Sequence, residues 1–279
     1  MKVALCQFIG NAEKEPNVQN VLRYAREAGD AGANLLCFHE ICTTSYFCYE
    51  ENYAHCAEAE PVPGPTTDRV AQVAKEYGMV IVLPMYEKVI KGELYNSAVV
   101  IMPNGTIQGV YRKTNIPMAK RPENPFGNEK LYFKPGNLGY PVFNTRFGKV
   151  GVLICHDRHY PEGARALALA GADMLVVPTA TPDASLSVKV WEKELCAHAI
   201  FNEFFVAGGN RVGKEDTYTY YGRSVAFDPV GELIVQAGGG EEILVADCNL
   251  EQITQRRRAW QFYRERRPET YGILTQMVP

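Results

Sequence analysis

Residues 149–181, KVGVLICHDRHYPEGARALALAGADMLVVPTAT, constrain the fold more than any other stretch of the chain. Val150 to Ile154 is a continuous apolar run, the pattern of a strand buried on both faces. It stops at Cys155, and four of the next five residues, His156, Asp157, Arg158 and His159, are polar. Pro161 and Glu162 then open a helix, because proline is tolerated in a first helical turn and an acid suits its positive end. Gly171 closes that helix, and Asp173 to Val177 reads as a second buried strand. A cysteine at the carboxyl end of a buried strand, just before a helix, occupies a favoured place for chemistry in α/β folds. A helix amino terminus also lowers a thiol pKa. Taken alone, the position reads equally well as a small buried residue.

A similar unit begins the chain. Val3 to Phe8 reads as a strand, Asn17 to Asp30 as a helix with Val18, Val21, Leu22 and Ala25 on one face, and Leu35 to Phe38 as a strand. AGANLLCF at 31–38 matches AGADMLVV at 170–177, and KVAL at 2–5 matches KVGVLI at 149–154. Two β-α-β units with shared patterns predict an internal pseudo-repeat.

Between these units, Cys42 to Pro65 has no period and is rich in aromatics, including Tyr46, so it reads as a long loop with one helical turn. Thr66 to Gly78 reads as a helix and Met79 to Glu87 as a strand. Tyr95 to Met102 and Thr106 to Tyr111 form a hairpin over Pro103-Asn104-Gly105. Asn115 to Gly139 is irregular. Beyond the central unit, Ser187 to Phe201 reads as an amphipathic helix and Phe204 to Gly208 as a strand running into Asn210. A hairpin spans Ser224 to Gln236, Ile243 to Asp247 is the last strand, and Leu250 to Arg264 the last helix. Strands alternating with helices, with hairpins between, predict layered α/β with a mixed sheet. No Ser/Gly/Pro linker divides residues 1–279, so a single domain is expected, with a C-terminal arm from about 260 to 279.

The formal net charge of −3, with no long basic or acidic block, argues against a nucleic-acid partner. No apolar run is long enough to cross a membrane. The chain opens directly into a strand with no signal-like segment ahead of it, which predicts a cytoplasmic protein. Eight cysteines without a CxxC pair argue against a zinc ribbon or disulfide scaffold. Cys155, His156 and His159 form C-H-x-x-H without an evident fourth ligand, so no metal and no cofactor is expected. His39 and His198 read as core or helix histidines.

Glu40, Lys113 and Cys155 each follow an apolar strand and precede irregular chain. If their strands share a sheet and a direction, the side chains converge at one edge. A carboxylate in a half-buried pocket has its pKa raised toward the task of deprotonating a thiol. An ammonium beside it stabilises the oxyanion formed when sulfur attacks a carbonyl, and the His156 amide N–H is a second donor. Such a set suits attack on an amide or nitrile carbon through a thioester-type intermediate. Taken singly, Glu40 and Lys113 read as solvated strand ends.

At these residues the chain resembles the nitrilase superfamily of carbon–nitrogen hydrolases. FHE with Glu40, YRK with Lys113 and ICHDRHYPE with Cys155 occur in the family's order. The resemblance implies a four-layer α-β-β-α sandwich with two mixed β-sheets. It implies Glu40 as general base, Lys113 as oxyanion stabiliser, Cys155 as nucleophile, and Glu129 of NEKLYFKPG as a second glutamate that orients Lys113. It also implies a homodimer or higher homo-oligomer, with the aromatic and arginine-rich segment from Trp260 to Tyr271 as a contact.

Within the superfamily, GNLGYPVF and CHDRHYPE resemble β-ureidopropionase, and RPENPF followed by EKLYF resembles the D-amino acid carbamoylases. In those carbamoylases the arginine matching Arg158 meets the substrate carboxylate, and a guanidinium suits that bidentate pairing. The enzyme acting on carbamoylputrescine, an amine, lacks it. A structural ion pair of Arg158 with Asp157 or Glu162 is the rival reading. The carbamoyl-acid groups typically carry histidine where this chain has Asn115, an amide that hydrogen-bonds a substrate but carries no proton. Tyr46 and Asn210 are candidate pocket linings. The expected reaction is hydrolysis of an N-carbamoyl amino acid, a small-molecule substrate, to amino acid, ammonia and carbon dioxide. An aliphatic or ω-amidase, and a non-catalytic binding protein on the same fold, are the alternatives.

Overall fold

The computed structural model describes residues 1–117, 128–183, 186–216 and 218–277. The RPENPF stretch at 121–126 lies outside the described residues. In chain order the elements are β1 (Lys2–Gln7), α1 (Lys14–Asp30), β2 (Leu35–Phe38), α2 (Pro65–Tyr77), β3 (Val80–Ile90), β4 (Glu93–Ile101), β5 (Ile107–Arg112), α3 (Glu129–Tyr132), β6 (Val142–Thr145) and β7 (Gly148–Val152). There follow α4 (Pro161–Leu169), β8 (Met174–Thr179), α5 (Trp191–Asn202), β9 (Phe205–Asn210), β10 (Val212–Glu215), β11 (Tyr218–Tyr221), β12 (Val225–Phe227), β13 (Leu233–Gln236), β14 (Glu242–Asp247) and α6 (Glu251–Ala259).

Twelve of the fourteen strands of the described residues fall into two larger sheets, and their order explains the layers. One six-stranded sheet runs β14-β1-β2-β3-β4-β5, and a second runs β13-β12-β9-β8-β7-β6. β1, β2 and β3 are parallel, as are β7, β8 and β9, while the flanking strands are antiparallel. Side chains alternate across a strand, so each strand of the first sheet feeds two cores. Ala4, Cys6, Leu36, Phe38, Ile81 and Leu83 pack with Val18, Val21 and Ala25 of α1 and Val70 and Val73 of α2. The opposite parity, Val3, Leu5, Leu35, Cys37, Val80 and Val82, packs against the second sheet. On the far side of that sheet α4 and α5 close the fourth layer. Gly151 leaves room for Leu167 of α4, since a Cβ there would lie 2.9 Å from its side chain. Gly208 does the same for Leu195 and Trp191 of α5. The result is the expected α-β-β-α sandwich with two mixed sheets.

The pseudo-repeat is a matched pair of hydrogen bonds. Asn34 before β2 accepts the Lys2 N–H through Oδ1 at 2.8 Å, and Asp173 before β8 accepts the Lys149 N–H through Oδ2 at 2.9 Å. Their own amides donate to the Lys2 and Lys149 carbonyls at 2.8 Å in both cases. Each unit thus sets strand register with one short polar side chain.

Other expectations are corrected. The helix expected from Ser187 to Phe201 is a short 3-10 turn, Leu186–Lys189, followed by α5. The last helix stops at Ala259 rather than Arg264: Ile253 is the buried residue of α6, and the chain turns extended at Trp260, with φ of −126° and ψ of 121°. The loop from Cys42 to Pro65 holds two 3-10 turns, Phe47–Tyr49 and Tyr53–Glu58, rather than one. The β6 strand and the β10–β11 hairpin were not anticipated. The terminal segment leaves Trp260, Ile273, Leu274 and Met277 exposed. All eight cysteines are free thiols, and no helix among the described residues is long and apolar enough to cross a membrane.

Candidate active site

Glu40 and Lys113 end strands of the first sheet, whereas Cys155 follows β7 of the second. The three therefore do not meet at one sheet edge as expected. They meet across the interface between the sheets. β5 runs in the direction of β2 because two antiparallel pairings separate it from β3, so Lys113 and Glu40 emerge at the same end.

Lys113 is fully buried between two carboxylates. Its Nζ donates to Glu40 Oε1 at 2.8 Å and to Glu129 Oε2 at 2.7 Å. Asn96 of β4 donates to Glu40 Oε1 at 2.7 Å, and the Ala180 amide donates to Glu40 Oε2 at 2.9 Å. Glu129, the first residue of α3, also accepts the Tyr46 hydroxyl at 2.8 Å. Tyr46 is thus a ligand of the second carboxylate, beyond the pocket lining or packing expected of it. Burial disfavours the Lys113 ammonium, but Glu129 and Glu40 outweigh that cost and hold its pKa well above the usual lysine range. Burial first, and repulsion from Glu40 second, push Glu129 upward although Lys113 opposes them.

Cys155 has φ of 47°, in the left-handed region that a residue with a Cβ seldom adopts. The strained turn projects it from the strand end into a 3-10 turn, Cys155–His159. Its pKa is pushed up to about 12, by burial and then by Glu40, with Lys113 and Arg158 pulling the other way. The expected lowering by a helix terminus is corrected: α4 begins only at Pro161, and the short turn at Cys155 has little dipole to offer. A thiol held that high needs a base before its sulfur can attack a carbon.

Asp157 fastens this turn to the first sheet. Its Oδ2 accepts the Tyr111 hydroxyl at 2.7 Å and the Ile154 amide at 3.0 Å. Its Oδ1 accepts both the amide of Asn115, at 2.7 Å, and its Nδ2, at 3.0 Å. Asn115 is therefore committed to Asp157 rather than free to bind substrate. Asn210 is likewise committed, accepting the Thr181 amide at 2.9 Å and donating to the Gly222 carbonyl at 2.9 Å.

Arg158 is buried and pairs with neither Asp157 nor Glu162. Its Nε donates to Glu194 Oε2 at 3.1 Å, and Nη1 donates to the Cys155 carbonyl at 2.8 Å and lies 3.8 Å from Cys155 Sγ. Nη2 has no hydrogen-bond partner among the described residues. The guanidinium lies over Trp191, at 5.2 Å from the ring centroid. Tyr221 packs edge-on to the same indole, and its buried hydroxyl is also without a partner among the described residues. Thr181 Oγ1 lies 3.8 Å from Cys155 Sγ. His156 is held neutral, with its pKa lowered to about 4 by burial and by Lys113. His159 is bound by Glu194 at 2.7 Å, and His198 Nε2 meets the Arg158 carbonyl at 2.7 Å. His39 is buried with Nδ1 3.2 Å from the Glu40 carbonyl, but its Nε2 is unpaired among the described residues.

Asn96, Asp157, Tyr111, Glu194 and Tyr221 were missed by pattern reading. Asn96 alone left a signal, a polar residue inside the apolar strand ELYNSAVVI. The site as a whole presents a thiol, a buried ammonium, two carboxylates and two unpaired donors at one place. That set is suited to covalent attack on a carbonyl or nitrile carbon.

A carbon-nitrogen hydrolase family profile matches residues 2–258 of the chain. N-carbamoylputrescine amidase of Solanum lycopersicum is 38% identical over 287 residues, covering 98% of this chain and 94% of that protein. Beta-ureidopropionase of Arabidopsis thaliana is 37% identical over 267 residues, covering 88% of this chain and 64% of that protein. The crystal structure of a carbon-nitrogen hydrolase from Helicobacter pylori G27 superposes with a TM-score of 0.90 at 31% identity, covering 100% of this chain and 99% of the other.

Proposed function

Because the chain belongs to the carbon–nitrogen hydrolase family, within the nitrilase superfamily, and is an enzyme of that class, we propose that it hydrolyses a small carboxylate-bearing N-carbamoyl compound. Glu40 takes the Cys155 proton as sulfur attacks the carbamoyl carbon. Lys113 and the His156 amide receive the developing oxyanion, and Lys113 is already desolvated and oriented by Glu129. The C–N bond to the terminal nitrogen breaks, and ammonia leaves once protonated. A thiocarbamate on Cys155 remains. Water, losing a proton to Glu40, attacks that carbon and restores the thiol. The released carbamate loses carbon dioxide to give the amino acid.

The observation that carries the substrate class is Arg158 Nη2, a buried donor without a partner among the described residues, on a guanidinium whose other branch lies 3.8 Å from Cys155 Sγ. Leaving such a donor unpaired is costly, and a substrate carboxylate satisfies it. Likeness to N-carbamoylputrescine amidase favours a second reading, an N-carbamoyl amine. Ammonia release from N-carbamoyl α-, β- and γ-amino acids, their methyl esters and an N-carbamoyl amine separates the two. The acid should exceed its ester by roughly 10- to 100-fold in kcat/KM, the worth of a hydrogen bond to a charged group. Arg158→Ala should erase that preference, and Cys155→Ala should abolish turnover. A preference for the amine, or indifference to charge, overturns the carboxylate reading.

A further inference from the structure

We propose that Arg211 and Glu215 are positioning residues that hold the base and the nucleophile in register across the two sheets. The proposal rests on the roles given above to Glu40 and Cys155. Those residues belong to different sheets, so no single strand fixes the gap between them. Contacts that bridge the sheets at the site must fix it.

Arg211 lies between β9 and β10 and is fully buried. Its amide donates to the Thr179 carbonyl at 3.0 Å, the same carbonyl that accepts the Glu40 amide at 3.3 Å. Its Nη2 donates to the carbonyls of Glu40 at 3.1 Å, Ile41 at 2.8 Å and Thr44 at 3.2 Å. The chain there is strained: Ile41, a β-branched residue, has φ of 49°. Three carbonyls converging on one guanidinium nitrogen are what that turn receives in return.

Glu215 fixes the guanidinium from the other side. Its carboxylate accepts Nη1 at 2.6 Å and 2.8 Å. The same carboxylate accepts the Gly10 amide at 2.9 Å and the Tyr46 amide at 3.2 Å. The Tyr46 hydroxyl in turn reaches Glu129. The buried pair thus touches the backbone of one carboxylate gripping Lys113 and, through Tyr46, the side chain of the other.

A stabilising ion pair is the simpler reading. Buried pairs are weak contributors to stability, because desolvation offsets their attraction. Placement decides the matter here, since among the described residues the carbonyls that Arg211 Nη2 meets belong to Glu40 or the four residues after it. Lysine would keep the charge but not the fork, so it cannot serve Glu215 and the carbonyls together.

The test uses the full-length protein and whichever amide, nitrile or N-carbamoyl substrate the wild type turns over best. Arg211→Lys should lower kcat by about 30- to 100-fold, in the range that a misplacement of about 1 Å costs, with KM within about threefold of wild type. The acid limb of the kcat/KM pH profile should move as Glu40 loses its fixed surroundings. Glu215→Gln, which keeps an acceptor, should lower kcat by about three- to tenfold in the same sense. A folded Arg211→Lys or Glu215→Gln protein with wild-type kcat, or a loss confined to KM, overturns the proposal. Failure of both variants to fold assigns the pair to stability and overturns it too. Turnover that survives in Cys155→Ala instead refutes the roles given to the site, whatever Arg211 does. A wild type inert toward N-carbamoyl acids refutes only the substrate class.

Discussion

The Lys113 ammonium lies 2.8 Å from Glu40 Oε1 with neither side chain exposed to solvent. Two carboxylates share this one cation, since Glu129 is 2.7 Å away on the other side. Removing the cation leaves both anions buried and unpaired, whereas removing one anion leaves the cation paired. Lys113→Ala should therefore destabilise the fold by about 3–5 kcal/mol, the usual cost of breaking a buried pair. Glu40→Gln should cost much less stability while reducing turnover to background. Urea unfolding of both variants beside ammonia release separates structural from chemical loss. Equal destabilisation by the two would contradict the shared-cation arrangement.

Asp157 accepts from Tyr111, Ile154 and both N–H groups of Asn115. It is buried, and these donors compensate for its desolvation. Asp157→Ala leaves the Ile154 amide and both Asn115 N–H groups without this acceptor, with Tyr111 left to Thr114 at 3.2 Å, and should destabilise by roughly 2–4 kcal/mol. Asn115→Ala removes one side-chain donor and should cost only about 1–2 kcal/mol. If Asn115 instead met substrate, its replacement would raise KM and leave the unfolding midpoint unchanged. Denaturant midpoints and Michaelis constants for the two variants decide this.

What was legible in the chain follows from what patterns encode. Glu40, Lys113 and Cys155 stand out because each comes where a predicted strand gives way to irregular chain, and period and length identify a strand whatever its neighbours. Sheet membership is not encoded in that way, so their meeting across two sheets was not foreseen. Asp157 sits among His156, Arg158 and His159, where every residue looks solvated. Its burial comes from Tyr111 and Asn115, brought in by a strand of the other sheet. Arg211 and Glu215, four apart in sequence, look like an ordinary surface pair. Only the fold shows the carbonyls between which Arg211 lies.

Three histidines give the protein an acid-sensitive stability. Burial lowers the pKa of His39, His156 and His198, His156 to about 4. In each case the folded value lies below the ordinary 6.5, so on acidification the unfolded chain takes up the proton first. Stability should then be full above about pH 6.5 and fall as pH drops from there toward 4. Glu129 and Asp157 are raised and act in the opposite sense, so the histidine contribution is read from the His156 variant rather than from the total slope. His156→Gln should flatten the slope of unfolding free energy against pH between 6.5 and 4. An unchanged slope would mean that folding leaves the His156 pKa where it is in the unfolded chain.

Tyr221 offers the sharpest separation of binding from folding. Its hydroxyl is buried without a partner among the described residues, beside the indole that also carries Arg158. An unsatisfied buried hydroxyl is a net cost, so Tyr221→Phe should leave the unfolding midpoint unchanged or raise it. If the hydroxyl instead donates to the substrate acid alongside Arg158, the same change removes one charge-assisted hydrogen bond. KM for the preferred acid should rise by about tenfold, equivalent to about 1.4 kcal/mol, while the methyl ester is unaffected. The combination of undiminished stability and selectively weakened binding distinguishes a donor held for substrate from a packing residue. A parallel loss for acid and ester, or a lowered midpoint, would place the hydroxyl in the scaffold instead.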